Sequence, residues 1–130
     1  MKEKTVFKHV ALHSNNREKS DLFFRKILAL DLFKTFDLSK ELSKQIFNID
    51  EEVKVDVYSN EDSYFEIFIT KHYKKADTFE HVCVEINDLN DFLKRCKDYN
   101  INPIVVKRGD KKLIFVKDFS NNLYEIKYKG

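Results

Sequence analysis

Four side chains of this 130-residue chain recur in a pattern that suits divalent-metal chemistry. His9 and His81 stand in matching segments, Phe7-Lys8-His9-Val10-Ala11-Leu12 and Phe79-Glu80-His81-Val82-Cys83-Val84. Glu66 and Glu125 stand in a second matching pair, Tyr64-Phe65-Glu66-Ile67 and Leu123-Tyr124-Glu125-Ile126. The histidines are offset by 81 − 9 = 72 positions and the glutamates by 125 − 66 = 59. Two homologous halves, the first carrying 72 − 59 = 13 extra residues, reproduce both offsets. Two imidazole nitrogens and two carboxylate oxygens suit Zn, Ni, Co, Mn or Fe(II) better than Ca or Mg. Open positions on such a cation accept water or two oxygens of a substrate. A solvated surface carboxylate explains Glu66 or Glu125 alone but not the matched pair.

The elements that must position these groups follow from the apolar spacing. Residues 5–12 alternate, with Val6, Val10 and Leu12 opposite Phe7, His9 and Ala11; in residues 79–86, Val82, Val84 and Ile86 oppose Phe79, His81 and Cys83. Both histidines therefore lie opposite an aliphatic face. A helix follows each strand. Asn15 to Glu18 offers a cap before the stripe Leu22, Phe23, Ile27 and Leu30, and Asn87 or Asp88 precedes Leu89, Phe92, Leu93, Cys96 and Tyr99. These helices bury the Val and Ile faces and leave the His faces free. Residues 32–38, 53–58 and 64–70 read as further strands of the first half, with a short inserted helix over 39–49 supplying the extra residues. In the second half 103–106 and 113–116 flank a turn at Lys107–Lys112, and 123–128 is the last strand. The expected fold is α+β: two βαβββ modules, residues 5–70 and 77–128 of a single domain, forming a mixed, curved eight-stranded sheet with helices on its outer face.

Composition bounds the function. Hydrophobic residues are 42% and charged residues 35% of the chain, a globular balance. With 12 Phe but only 2 Gly and 1 Pro, rings must fill the core and Asn, Asp and Ser must make the turns. A net charge of +2 from interleaved Lys and Glu gives no phosphate-binding stripe, so nucleic acid is not expected as a partner. No apolar stretch approaches membrane length or resembles a signal peptide. Cys83 and Cys96 lack CxxC spacing and read as reduced thiols of a cytoplasmic protein.

The order His, Glu, His, Glu on the first, fourth, fifth and eighth strands resembles the vicinal oxygen chelate superfamily, which includes glyoxalase I, fosfomycin-modifying proteins, extradiol dioxygenases and bleomycin-resistance binders. The likeness covers residues 5–128. Phe23-Phe24-Arg25-Lys26-Ile27-Leu28-Ala29-Leu30 is similar to the family's helix end, and Asp118-Phe119-Ser120-Asn121-Asn122-Leu123-Tyr124-Glu125 to its last-strand entry. Asn121 replaces the usual Gly, and Asn tolerates the left-handed turn best after Gly. The ligand pattern is nearest to glyoxalase I. That resemblance implies His9, Glu66, His81 and Glu125 as metal ligands, with Glu125 or Glu66 shuttling a proton as the enediolate of a small vicinal-oxygen substrate forms. It also implies lyase or isomerase chemistry and a homodimer.

His13, Phe68, Thr70 and Cys83 are candidates for contacting the substrate. His13 and Thr70 stand where glyoxalase I has an arginine and an asparagine, which argues against methylglyoxal as substrate. Fosfomycin-type addition would use His9, His81 and Glu125 as ligands and leave Glu66 free. Extradiol dioxygenation needs Fe(II) and a further His, and a sequestering binder would use the rings Phe7, Tyr64, Phe68 and Phe79. Packing is the plainer role for Cys83. His72 and the Lys-rich segments 71–75 and 107–112 read as exposed loops, and Arg108-Gly109-Asp110 as a hairpin turn.

Overall fold

The computed structural model describes residues 3–129. Its strands form two four-stranded sheets, in the orders β1-β4-β3-β2 and β5-β8-β7-β6. The first contains β1 (Val10–Ser14), β2 (Asp31–Leu38), β3 (Val53–Ser59) and β4 (Tyr64–Ile69); the second contains β5 (His81–Ile86), β6 (Ile104–Arg108), β7 (Lys111–Lys117) and β8 (Leu123–Tyr128). In each sheet the first and last strands of the module pair in parallel and the remaining pairs are antiparallel. The eight expected strands are present as two four-stranded sheets, since no ladder joins the sheets among the described residues.

Helix α1 (Arg17–Asp21) runs directly into a π-helical stretch, Leu22–Ile27, and α3 (Leu89–Asp98) is its counterpart in the second module. Asn16 and Asp88 cap them by accepting from the backbone N–H of Lys19 and Asp91. The wide turn, closed by the Leu28 N–H donating to the Phe23 carbonyl, brings Phe23, Phe24 and Ile27 inward together, all at most 1% exposed. A regular 3.6-residue stripe would have favoured Leu22, which is only partly buried. Ala29 then takes φ 58° to end the segment.

One apolar core lies between the two sheets. Phe65 and Ile67 of the first sheet, Ile114, Val116, Tyr124 and Ile126 of the second, and Phe92 and Cys96 of α3 close around Phe23, Phe24 and Ile27. Val10, Leu12, Val82, Val84 and Ile86 pack against it, so the aliphatic faces turn to the helices as the alternation requires. On the opposite face the first sheet buries Val53, Val55 and Val57 of β3, while the second carries the half-buried Leu113 and Phe115 of β7. Burial raises the Cys96 thiol pKa to about 11, which makes it inert at neutral pH.

Two departures from the sequence expectation concern position. β1 begins at Val10 rather than residue 5, so His9 immediately precedes the strand while His81 opens β5. The parallel partner β4 starts its pairing with Phe65 opposite Val10, so nothing holds residues 3–9 in a ladder. The inserted helix α2 (Lys40–Phe47) forms under the Ser39 cap, but its Leu42 and Ile46, with Ile49 just beyond, are 45–60% exposed.

The modules are also tied by polar contacts at the end of β1. Asn122, 2% exposed, donates from Nδ2 to the His13 carbonyl at 2.7 Å and to Asp118 Oδ2 at 2.9 Å, and accepts from Lys75 Nζ at 3.3 Å. Asn122→Ala strands the His13 carbonyl in a buried setting, while Asp118 Oδ2 keeps the Tyr124 hydroxyl as its donor. We expect a loss of about 2 kcal/mol in unfolding free energy, read by urea denaturation.

Candidate metal centre

Parallel pairing fixes the same local geometry twice. Ala11, two residues after His9, lies opposite Glu66; Cys83, two residues after His81, lies opposite Glu125. His9 Nε2 stands 3.2 Å from Glu66 Oε1, and His81 Nε2 stands 3.3 Å from Glu125 Oε1. Both glutamates are about a fifth exposed and both histidines more so, at 46% and 37%. Each pair sits on the face of its sheet turned away from the shared core.

Within one chain the pairs stay apart. Among the described residues no three His, Cys, Asp or Glu side chains come together. His9 and His81 both border an open groove of about 1190 Å³ alongside β1 and β5, together with Phe7, Tyr64 and Cys83, but neither glutamate lines it. Each chain therefore presents two separate His–Glu pairs.

The donor chemistry fits a metal ion. His81 Nδ1 lies 2.8 Å from the Phe79 carbonyl, which can only accept, so that nitrogen carries the proton. In the neutral ring Nε2 is then a bare lone pair aimed at a carboxylate oxygen, and two acceptors at 3.3 Å need a proton or a cation to reconcile them. Metal–ligand bonds of about 2.1 Å separate neighbouring ligand atoms by roughly 3.0 Å at a right angle and 3.4 Å at the tetrahedral angle. The two observed separations, 3.2 and 3.3 Å, fall between those limits.

No family model and no curated sequence matches the chain. Solved structures do. The fosfomycin resistance protein FosX from Listeria monocytogenes superposes with a TM-score of 0.73 at 14% identity, over 98% of this chain and 96% of that one. FosX from Mesorhizobium loti gives 0.70 at 12% identity over 96% and 92%. A glyoxalase family protein from Enterococcus faecalis gives 0.69 at 15% identity over 93% and 95%. The fold is that of the vicinal oxygen chelate superfamily.

On that scaffold the remaining candidates take distinct places. Cys83 is exposed beside Glu125, and burial first, then the Glu125 charge, raises its thiol pKa. Phe68 meets Phe47 of the inserted helix edge-on at 5.4 Å. His13 points to the link between modules: its Nε2 lies 3.3 Å from the Thr70 carbonyl and its ring meets Tyr73 edge-on. Burial lowers the His13 pKa, and its Nδ1 is enclosed without a partner. Thr70 accepts from the His72 N–H through Oγ1, holding the turn that leaves β4.

Sequence reading passed over Lys127. Its ammonium lies 3.1 Å from Glu125 Oε2, so Glu125 is held on both oxygens, and the hydrogen bond from Lys127 leads the lowering of its pKa. The spacing could have revealed it, since Lys127 follows Glu125 by two and shares its face, where the first module has Phe68. Glu125 should therefore stay ionised below the usual carboxylate range. In Lys127→Met its titration should move up toward that range, followed by carboxyl ¹³C shifts of the metal-free protein; an unmoved midpoint contradicts the assignment.

Proposed function

We propose that the protein is a divalent-metal-dependent enzyme acting on a small substrate with two adjacent oxygens, its metal centre assembled from the His–Glu pairs of two copies. The repeated His–Glu contact, at one register in both modules, carries this reading. Since the pairs lie on separate sheets, His9 and Glu66 of one copy meet the equivalent of His81 and Glu125 on another. Exposed rings beside each pair, Phe7 at 92% and Phe79 at 98%, favour such coverage. A cation of the Zn, Ni, Co, Mn or Fe(II) class supplies Lewis acidity there. Among the described residues no helix is long and apolar enough to cross a membrane.

The protein's own groups then divide the work. The histidines hold the cation, and the carboxylates hold it or move the proton that leaves a carbon beside the substrate oxygens. This is glyoxalase-type lyase or isomerase chemistry. A second reading, fosfomycin-type addition, draws on the asymmetry of the carboxylates. Glu125 is held by His81 and Lys127, whereas Glu66 has His9 alone as an ion-pair partner among the described residues, which suits a free Glu66 beside His9, His81 and Glu125 as ligands. A variant of the Listeria FosX has been crystallised with Mn(II) and 1S,2S-dihydroxypropylphosphonic acid.

Complementation tests the shared centre. His9→Ala/Glu66→Ala and His81→Ala/Glu125→Ala chains should each lose metal affinity by at least about 100-fold, since the removed groups are the ligands themselves. Co-expressed and purified as a mixed dimer, the two should regain one intact centre per dimer by elemental analysis. Failure to regain it, with each wild-type chain holding metal alone, would refute the two-copy site. Proton exchange from 2-oxoaldehyde thiohemiacetals, compared with opening of an epoxyphosphonate, separates the two reactions.

A further inference from the structure

We propose that a cavity beside His81 seats an apolar, ring-sized substituent of the substrate, an inference that rests on the metal-centre reading above. The cavity measures about 270 Å³, and Ile104, Phe115 and Leu123 form its apolar part. It lies next to the His–Glu pair, although neither His81 nor Glu125 lines it. Leu123 is the register partner of His81, Phe115 is that of Glu125, and the Phe115 ring meets the His81 imidazole edge-on at 5.8 Å. A molecule held by its oxygens at this pair therefore extends its next atoms over Phe115.

The rim explains why the substituent is apolar. Asp77 accepts from Lys117 Nζ and from Asn121 Nδ2, each at 3.0 Å, which commits three of the five polar lining residues to one another and leaves Thr78 and Glu80 at the edge. The volume lies at the lower edge of the roughly 300–1,000 Å³ common for ligand pockets, enough for one ring or a branched alkyl group but not for a peptide conjugate. The first module fills the matching strand positions differently. Its matching positions are Tyr64, Val57 and Lys34; Tyr64 packs edge-on against Phe33 at 5.9 Å and Val57 is 3% exposed. Duplication gave two His–Glu pairs, but this cavity lies beside the second, while the larger groove borders both histidines, so an asymmetric substrate meets unlike surroundings at the two pairs.

Two hydroxamates that chelate through the same oxygens provide the test. Calorimetry with the Mn(II)-loaded protein should show benzohydroxamate binding about tenfold tighter than acetohydroxamate, the gain expected from burying part of a ring. Ile104→Trp fills the cavity from a position 44% exposed, so folding is preserved. It should bring the two ligands within about twofold and leave acetohydroxamate unchanged. Phe115→Ala should erode the preference from the other wall. Equal affinities in the wild type, or a ring preference that survives Ile104→Trp, overturns the inference while acetohydroxamate binding keeps the metal centre intact. If wild-type protein binds neither Mn(II) nor acetohydroxamate, the metal centre itself is wrong and the inference falls with it.

Discussion

The parallel pairing of the first and last strands in each module is the constraint on which the site depends. An imidazole two residues before the register point and a carboxylate at that point lie on one face, because side chains alternate along both strands. A one-residue slip in either ladder would turn the glutamate into the core. Phe65 and Ile67 flank Glu66, and Tyr124 and Ile126 flank Glu125; all four are at most 4% exposed, so the buried neighbours hold the register that the polar pair requires. Packing of the helix face thus fixes chemistry on the other face.

Much of this was legible in the sequence because it obeys short periods. The internal repeat located both His–Glu pairs, the alternation assigned their faces, and β8 spans Leu123–Tyr128 as the pattern indicates. Asn121 has φ 68°, the left-handed turn that Asn was expected to make in place of Gly. What was hidden depends on neighbours distant in the chain. The start of β1 is set by where β4 begins, not by the alternation that continues back to residue 5. The π-helical turn at Leu22–Ile27 reflects three large side chains competing for one core, which a 3.6-residue period cannot express. The split into two sheets, and with it the separation of the pairs, follows from how the π-helical stretch Leu22–Ile27 and α3 share a core between the sheets.

His13 shows the same limit. Its position on the His9 face was readable, its partners were not. Thr70 and Tyr73 reach it from the segment leaving β4, while Asn122 grips its carbonyl from the turn before β8. The residue joins three parts of the chain that meet only after both modules are docked. A pairing of this kind arises from tertiary closure, and no local spacing announces it.

The two modules have diverged most on the faces turned away from the shared core. In the first, Val53, Val55 and Val57 are each at most 4% exposed yet lie outside the helix-side core, and Val57 sits opposite Glu66. The inserted residues account for this, since Phe47 of α2 reaches Phe68 on that face. The second module has no such insertion, and its corresponding Phe115 stays partly exposed above a cavity. Lys127 adds a charge difference where the first module has Phe68. The insertion that breaks the repeat in sequence is therefore what breaks the symmetry of the site: two His–Glu pairs of matching geometry are left in unlike surroundings, one beside buried valines and one beside Lys127 and a cavity. A substrate with two different ends meets a surface that distinguishes them.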